Sequence, residues 1–80
     1  MSVRLTAEKD RSCDTSNGEW SALCAMATAF GIENASWNGC HDGQIYSATT
    51  LREMADRADQ IGKAADMLRW IADHGGAQLS

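Results

Sequence analysis

The sequence predicts an α+β fold in which a small antiparallel sheet, made of two short hairpins plus a C-terminal edge strand, packs against three helices. Three patterns lead there. Apolar and polar residues alternate through Val3, Leu5 and Ala7, the two-residue period of a strand with one buried face. Ser16, with Glu19 three places later, opens a stretch whose apolar residues recur every three to four positions. The helical period returns after Ser47 and stops at Gly75 and Gly76, just ahead of the short segment "AQLS".

The elements follow in chain order. "SVRLTA" is the first strand, "EKDRS" turns, and "RSCDTS" returns beside it. The first helix spans about 17–30: the Ser16 hydroxyl caps it, Trp20, Leu23, Cys24, Ala27 and Phe30 fall on one face, and Gly31 ends it. In "SWNGCHDGQIYSATT", Asn38-Gly39 or Asp42-Gly43 supplies the turn of a second hairpin whose exit strand runs into Ser47, the cap of the next helix. Leu51, Met54, Ala58, Ile61, Ala65, Leu68 and Ala72 have the spacing of one long helix. Gly62 in its middle costs about 1 kcal/mol relative to alanine, and a straight helix would turn Met67 and Trp70 away from that seam. The sequence therefore predicts two helices, about 48–61 and 64–73. The second has Ala64, Met67, Leu68 and Ile71 facing inward and Trp70 near the border. "AQLS" then joins the sheet as an edge strand.

Eighty residues make one domain, 1–80, with a modest core, because a chain this short buries only about three-fifths of its unfolded surface. The net charge of −4 disfavours direct nucleic-acid binding, which needs clustered Lys and Arg against phosphate. The same field attracts a cationic partner. Three cysteines, an odd number, and an N-terminal segment without an apolar core point to free thiols in the cytoplasm. The longest apolar run, "WSALCAMATAFGI", falls short of the roughly 20 residues that cross a bilayer.

Cys40, His41 and Asp42 hold reactive groups in a row, and Cys13, Cys40, His41 and His74 supply the donor types of a zinc site. They lack paired short-spaced ligands. Neighbours in an extended strand also point to opposite faces, so Cys40 and His41 are poorly placed as nucleophile and base. The reading is a turn, with no cofactor, no metal and no catalytic residue. A helix-turn-helix reading of 51–75 places Asp66 and Asp73 on the would-be recognition helix, where phosphate repels them. The carboxylates of Glu53, Asp56, Asp59 and Asp66 form an acidic face, tempered by expected ion pairs from Glu53 to Arg57 and from Asp59 to Lys63. Trp20 belongs to the core, whereas Trp37, Tyr46 and Trp70 are candidates for partial exposure. Exposed Trp anchors protein interfaces, so the expected partner-binding set is Glu53, Asp56, Asp59, Asp66, Trp37 and Trp70.

The segments "SNGEWSALCAMATAFGI", "NGCHDGQIYSATTLREMADRA" and "HGGAQL" resemble a group of small uncharacterised bacterial and phage-associated proteins. That group shares a capped W-x-x-L-x-x-x-A helix, an N-x-G-Q hairpin running into a capped helix, and a closing Gly-Gly strand. The resemblance covers Asn17 to Leu79 and rests on structural residues, so it implies the boundaries and transfers no catalytic residue. Gly39-Cys40-His41 departs from it as an expansion around the turn. By class, the chain also resembles phage-encoded inhibitors of host defence such as anti-CRISPR proteins. That resemblance implies a non-enzymatic protein of the host cytoplasm that covers a basic nucleic-acid site on a protein or ribonucleoprotein complex, without contacting membrane or nucleic acid itself.

Overall fold

The computed structural model describes residues 2–39, 43–60 and 65–80, and the statements below concern these. Four strands, β1 (Ser2–Thr6), β2 (Ser12–Ser16), β3 (Ile45–Tyr46) and β4 (Ala77–Leu79), form an antiparallel sheet. Three helices, α1 (Asn17–Ala29), α2 (Ala48–Gln60) and α3 (Asp66–Asp73), complete the α+β fold. The radius of gyration, 11.1 Å, matches the value of about 12 Å for one 80-residue domain.

The first hairpin is as predicted. Val3, Leu5 and Thr15 point inward and are buried, while Ser2, Arg4, Ser12, Asp14 and Ser16 line the exposed face. Arg4 and Asp14 are cross-strand partners on that outer face, and Arg4 Nε donates to Asp14 Oδ1 at 3.1 Å. A short 3₁₀ turn at Glu8–Asp10, with Lys9 at φ +59°, links the two strands.

Caps set the helix ends. The Glu19 amide donates to Ser16 Oγ at 3.1 Å, the first half of the predicted capping box. At the other end Gly31, at φ +80°, lets the Ile32 amide reach the Ala27 carbonyl and its own amide reach Thr28. This is a Schellman closure, which needs a left-handed residue there. Ser47 caps α2, because the Thr50 amide donates to Ser47 Oγ at 3.2 Å. Ser16→Ala and Ser47→Ala should each lower stability by about 1 kcal/mol, read as a shift of the urea midpoint at unchanged slope.

Two expectations about the sheet are corrected. The strand order is β2-β1-β4-β3, so β4 lies inside the sheet between β1 and β3 and is not an edge strand. Leu5 pairs with Leu79 on one side and Tyr46 with Ala77 on the other, which buries both Ala77 and Leu79. β3 thus has β4 as its partner in place of a preceding hairpin strand, and residues 34–39 form no strand. Cys40 to Asp42, the centre of the expected turn, lie outside the described residues.

The inner face of the sheet and the three helices share one core built on Trp20, Leu23, Leu51, Met54, Leu68 and Ile71, all buried. The helices of 48–61 and 64–73 are seen as α2 and α3, and Gly62 lies outside the described residues with Ile61, Lys63 and Ala64. Phe30 is the exception to the predicted stripe. It is the C-cap residue, where the backbone leaves helical angles, and it is 48% exposed with the Arg57 guanidinium 4.9 Å above its ring.

Candidate functional site

Two surface regions collect the residues singled out by sequence: the outer side of α2 and α3, and the segment around Trp37. On the helical pair, Asp66, Trp70 and Asp73 recur at the four- and three-residue steps of one exposed stripe of α3. Trp70 is 39% exposed, and its ring is tilted against that of His74 with centroids 4.5 Å apart. His74 Nδ1 lies 2.7 Å from the Trp70 carbonyl; a carbonyl only accepts, so this nitrogen carries the ring hydrogen.

The carboxylates of α2 are arranged differently from the expected row. Arg69 of α3 reaches across to Asp56 at 3.0 Å and to Asp59 at 2.5 Å. Asp59 is therefore paired with Arg69, where a bond to Lys63 was expected; Lys63 lies outside the described residues. Hydrogen bonds that Arg69 donates to Asp59 and Asp56 raise its guanidinium above its usual value. Arg52 makes a second crossing and donates to Asp73 at 3.3 Å. Both crossings are exposed and screened by solvent, so they act mainly by fixing where the charges sit. Glu53 and Asp66 are also exposed, Glu53 on the flank of α2 that borders Phe30 and Ile32 at the end of α1. Sequence periodicity could not reveal the Arg69 contacts, because they join two helices whose mutual position depends on the core.

Around Trp37 the chain is held by side chains rather than by a ladder. The Ser36 carbonyl accepts from both Tyr46 Oη and Gln44 Nε2 at 2.7 Å, and Gln44 Oε1 accepts from the Asn38 amide at 3.3 Å. Trp37 is half-buried against the core and walls a shallow groove of about 440 Å³ along Ser21, Cys24, Ala25 and Thr28 of α1. Tyr46, one of three aromatics read as candidates for partial exposure, is 1% exposed and stacks edge-on with Trp20, ring centroids 5.2 Å apart at 87°. Burial pushes its phenol well above 10.0. Cys24, 3.9 Å from the hydroxyl, adds to the rise, and the Trp20 N–H opposes it from nearby without meeting hydrogen-bond geometry.

Burial also pushes the Cys24 thiol up to about 11, although its contact with Tyr46 acts in the other direction. The Cys13 thiol is raised by burial and then by Asp14. Neither is primed as a nucleophile at neutral pH. Because the folded Cys24 keeps its proton longer than an unfolded thiol near 9.0, its contribution is complete below pH 9 and fades as pH rises through about 11. Stability of the wild type should fall over that window. Cys24→Ala should flatten the fall, as measured by urea unfolding at stepped pH.

Among the described residues no group of three or more His, Cys, Asp or Glu side chains is placed to hold a metal ion. Cys13 lies on the inner side of β2 and His74 at the C-cap of α3, while Cys40 and His41 lie outside the described residues. No helix among the described residues is long and apolar enough to cross a membrane. The chain matches no family model, and no curated protein or solved structure is significantly similar to it.

Proposed function

We propose that this chain is a non-enzymatic binding protein, active in the cytoplasm of a bacterial host, that covers a basic nucleic-acid site on a host defence complex. The observation that carries this reading is the exposed stripe of α3, in which an aromatic anchor, Trp70, stands between Asp66 and Asp73, with the carboxylates of Asp56 and Asp59 on α2 tied to the same helix through Arg69. An amphipathic ring bordered by carboxylates suits a partner that presents Arg and Lys, since the guanidinium stacks on the indole and pairs with the acids. Arg69 and Arg52 hold part of that charge in place, so the face combines fixed ion pairs with the exposed carboxylate of Asp66.

The same geometry weighs against a helix-turn-helix regulator. Arg69 is the one basic residue of α3, and two carboxylates already engage it. A helix so placed repels phosphate.

The test uses nuclease-treated bacterial lysate passed over immobilised wild-type chain and over a variant carrying Glu53→Lys, Asp66→Lys and Trp70→Ala. The expected result is retention, by the wild type alone, of a protein whose nucleic-acid site is blocked once bound. Affinity should fall about tenfold or more between roughly 50 and 200 mM salt, where screening shortens. Equal retention by both chains, or affinity indifferent to salt, overturns the proposal.

A further inference from the structure

The sequence contains two Asn-Gly pairs, Asn17-Gly18 and Asn38-Gly39, and the fold treats them in opposite ways. Asn17 is the first residue of α1, half-buried, with its side-chain Oδ1 fully shielded from water. Asn38 is exposed and lies outside every helix and strand, and Gly39, also exposed, sits at φ +82°. We propose that Asn38 is a site of spontaneous, solvent-driven deamidation, a modification that adds a carboxylate beside Trp37, and that α1 protects Asn17 from the same chemistry.

The reaction needs only water and hydroxide. Hydroxide removes the Gly39 amide proton, and the nitrogen adds to Cγ of the Asn38 side chain. The tetrahedral adduct expels the side-chain nitrogen as ammonia and leaves a five-membered succinimide. Water then adds to one of its two carbonyls and that C–N bond opens, giving aspartate or isoaspartate at position 38. Glycine favours the attack because no Cβ shields its nitrogen and its backbone is free to turn. For Asn17 the attacking nitrogen belongs to Gly18, inside the first turn of a capped and core-packed helix, so reaction requires local opening of α1. Every 1.4 kcal/mol of opening free energy slows it about tenfold.

The product changes its surroundings. The net charge of −4 becomes one unit more negative. The isoaspartyl form also inserts a carbon into the main chain at the residue whose amide Gln44 Oε1 holds, next to the Ser36 carbonyl that anchors Tyr46.

The full chain is incubated at about pH 8 and 37 °C, folded and in strong urea, and cleaved after glutamate. Cuts after Glu19, Glu33 and Glu53 separate Asn17 from Asn38. In the folded protein the peptide beginning at Asn34 should gain about 1 Da and split into two new species, at least about tenfold faster than the peptide ending at Glu19. In urea the two should convert at comparable rates. An Asn38→Gln chain should lose the gain. Equal rates for the two peptides in the folded protein, or a gain that persists in Asn38→Gln, would overturn the proposal.

Discussion

Gly76→Ala should lower stability by roughly 3–4 kcal/mol. Gly76 follows α3 at φ +102°, where its amide closes the helix on the Ile71 carbonyl at 3.3 Å. A methyl group there would lie 2.7 Å from the Tyr46 carbonyl oxygen and 3.1 Å from the Ala48 amide nitrogen, both backbone atoms unable to swing aside. The positive φ alone costs an L-residue about 1–2 kcal/mol, and the collision adds more by forcing the junction of β3 and α2 away from β4. Total stability for 80 residues is of the order of 4–12 kcal/mol, so the change removes a large part of it. Gly18→Ala is the matched control. Gly18 is helical with nothing within 4 Å of an added Cβ, so alanine there should leave stability unchanged or raise it by up to about 1 kcal/mol. Paired thermal melts check both; a Gly76→Ala chain within about 1 kcal/mol of wild type would show that the junction can open without loss.

Trp20→Ala should cost a similar amount, about 3–5 kcal/mol. Trp20 is fully buried and leads the inward face of α1, and its ring meets Tyr46 edge-on. Truncation leaves a cavity at the point where α1 meets β3, and removes an aromatic pair worth about 1 kcal/mol on its own. Trp20→Phe separates the two contributions. It keeps a ring in the site but deletes the indole N–H, a buried donor without an acceptor in hydrogen-bond geometry. Relief of that orphan offsets part of the lost area, so the phenylalanine chain should retain most of its stability. Urea titration of both variants reads this directly, and a phenylalanine chain as unstable as the alanine one would mean that the indole N–H is satisfied after all.

Local structure was legible wherever its cause is local. The Ser16 and Ser47 caps, the Gly31 ending of α1 and the inward faces of α2 and α3 all follow from residues within a few positions of one another. What escaped was long-range. "AQLS" is too short to state its neighbours, and its place between β1 and β3 depends on a pairing of Leu5 with Leu79 that no periodicity encodes. Tyr46 reads as amphipathic in sequence, and only the Ser36 carbonyl, brought over its hydroxyl by the course of 32–39, explains how it is buried. The acidic face was legible as composition. Its internal pairing was not, because Arg69 finds Asp56 and Asp59 through the packing of two helices. Phe30 fell off the apolar stripe because periodicity counts on helical angles one residue past the point where they stop.

The interior position of β4 has a consequence for how the molecule comes into being. β1 and β2 can pair as soon as both exist, since their hairpin is local, and α2 can coil on its own cap. The sheet, however, is in two pieces until residues 77–79 arrive between them, because among the described residues the ladder links β3 to the β1–β2 hairpin through that strand. The decisive closure joins positions separated by almost the whole chain, and its entropy must be met before any of the contacts it makes possible are gained. Assembly should therefore wait for the last strand: a ribosome-bound chain lacking those residues would carry an exposed hairpin edge and unshielded helices, and the protein would lock into shape in a single late step.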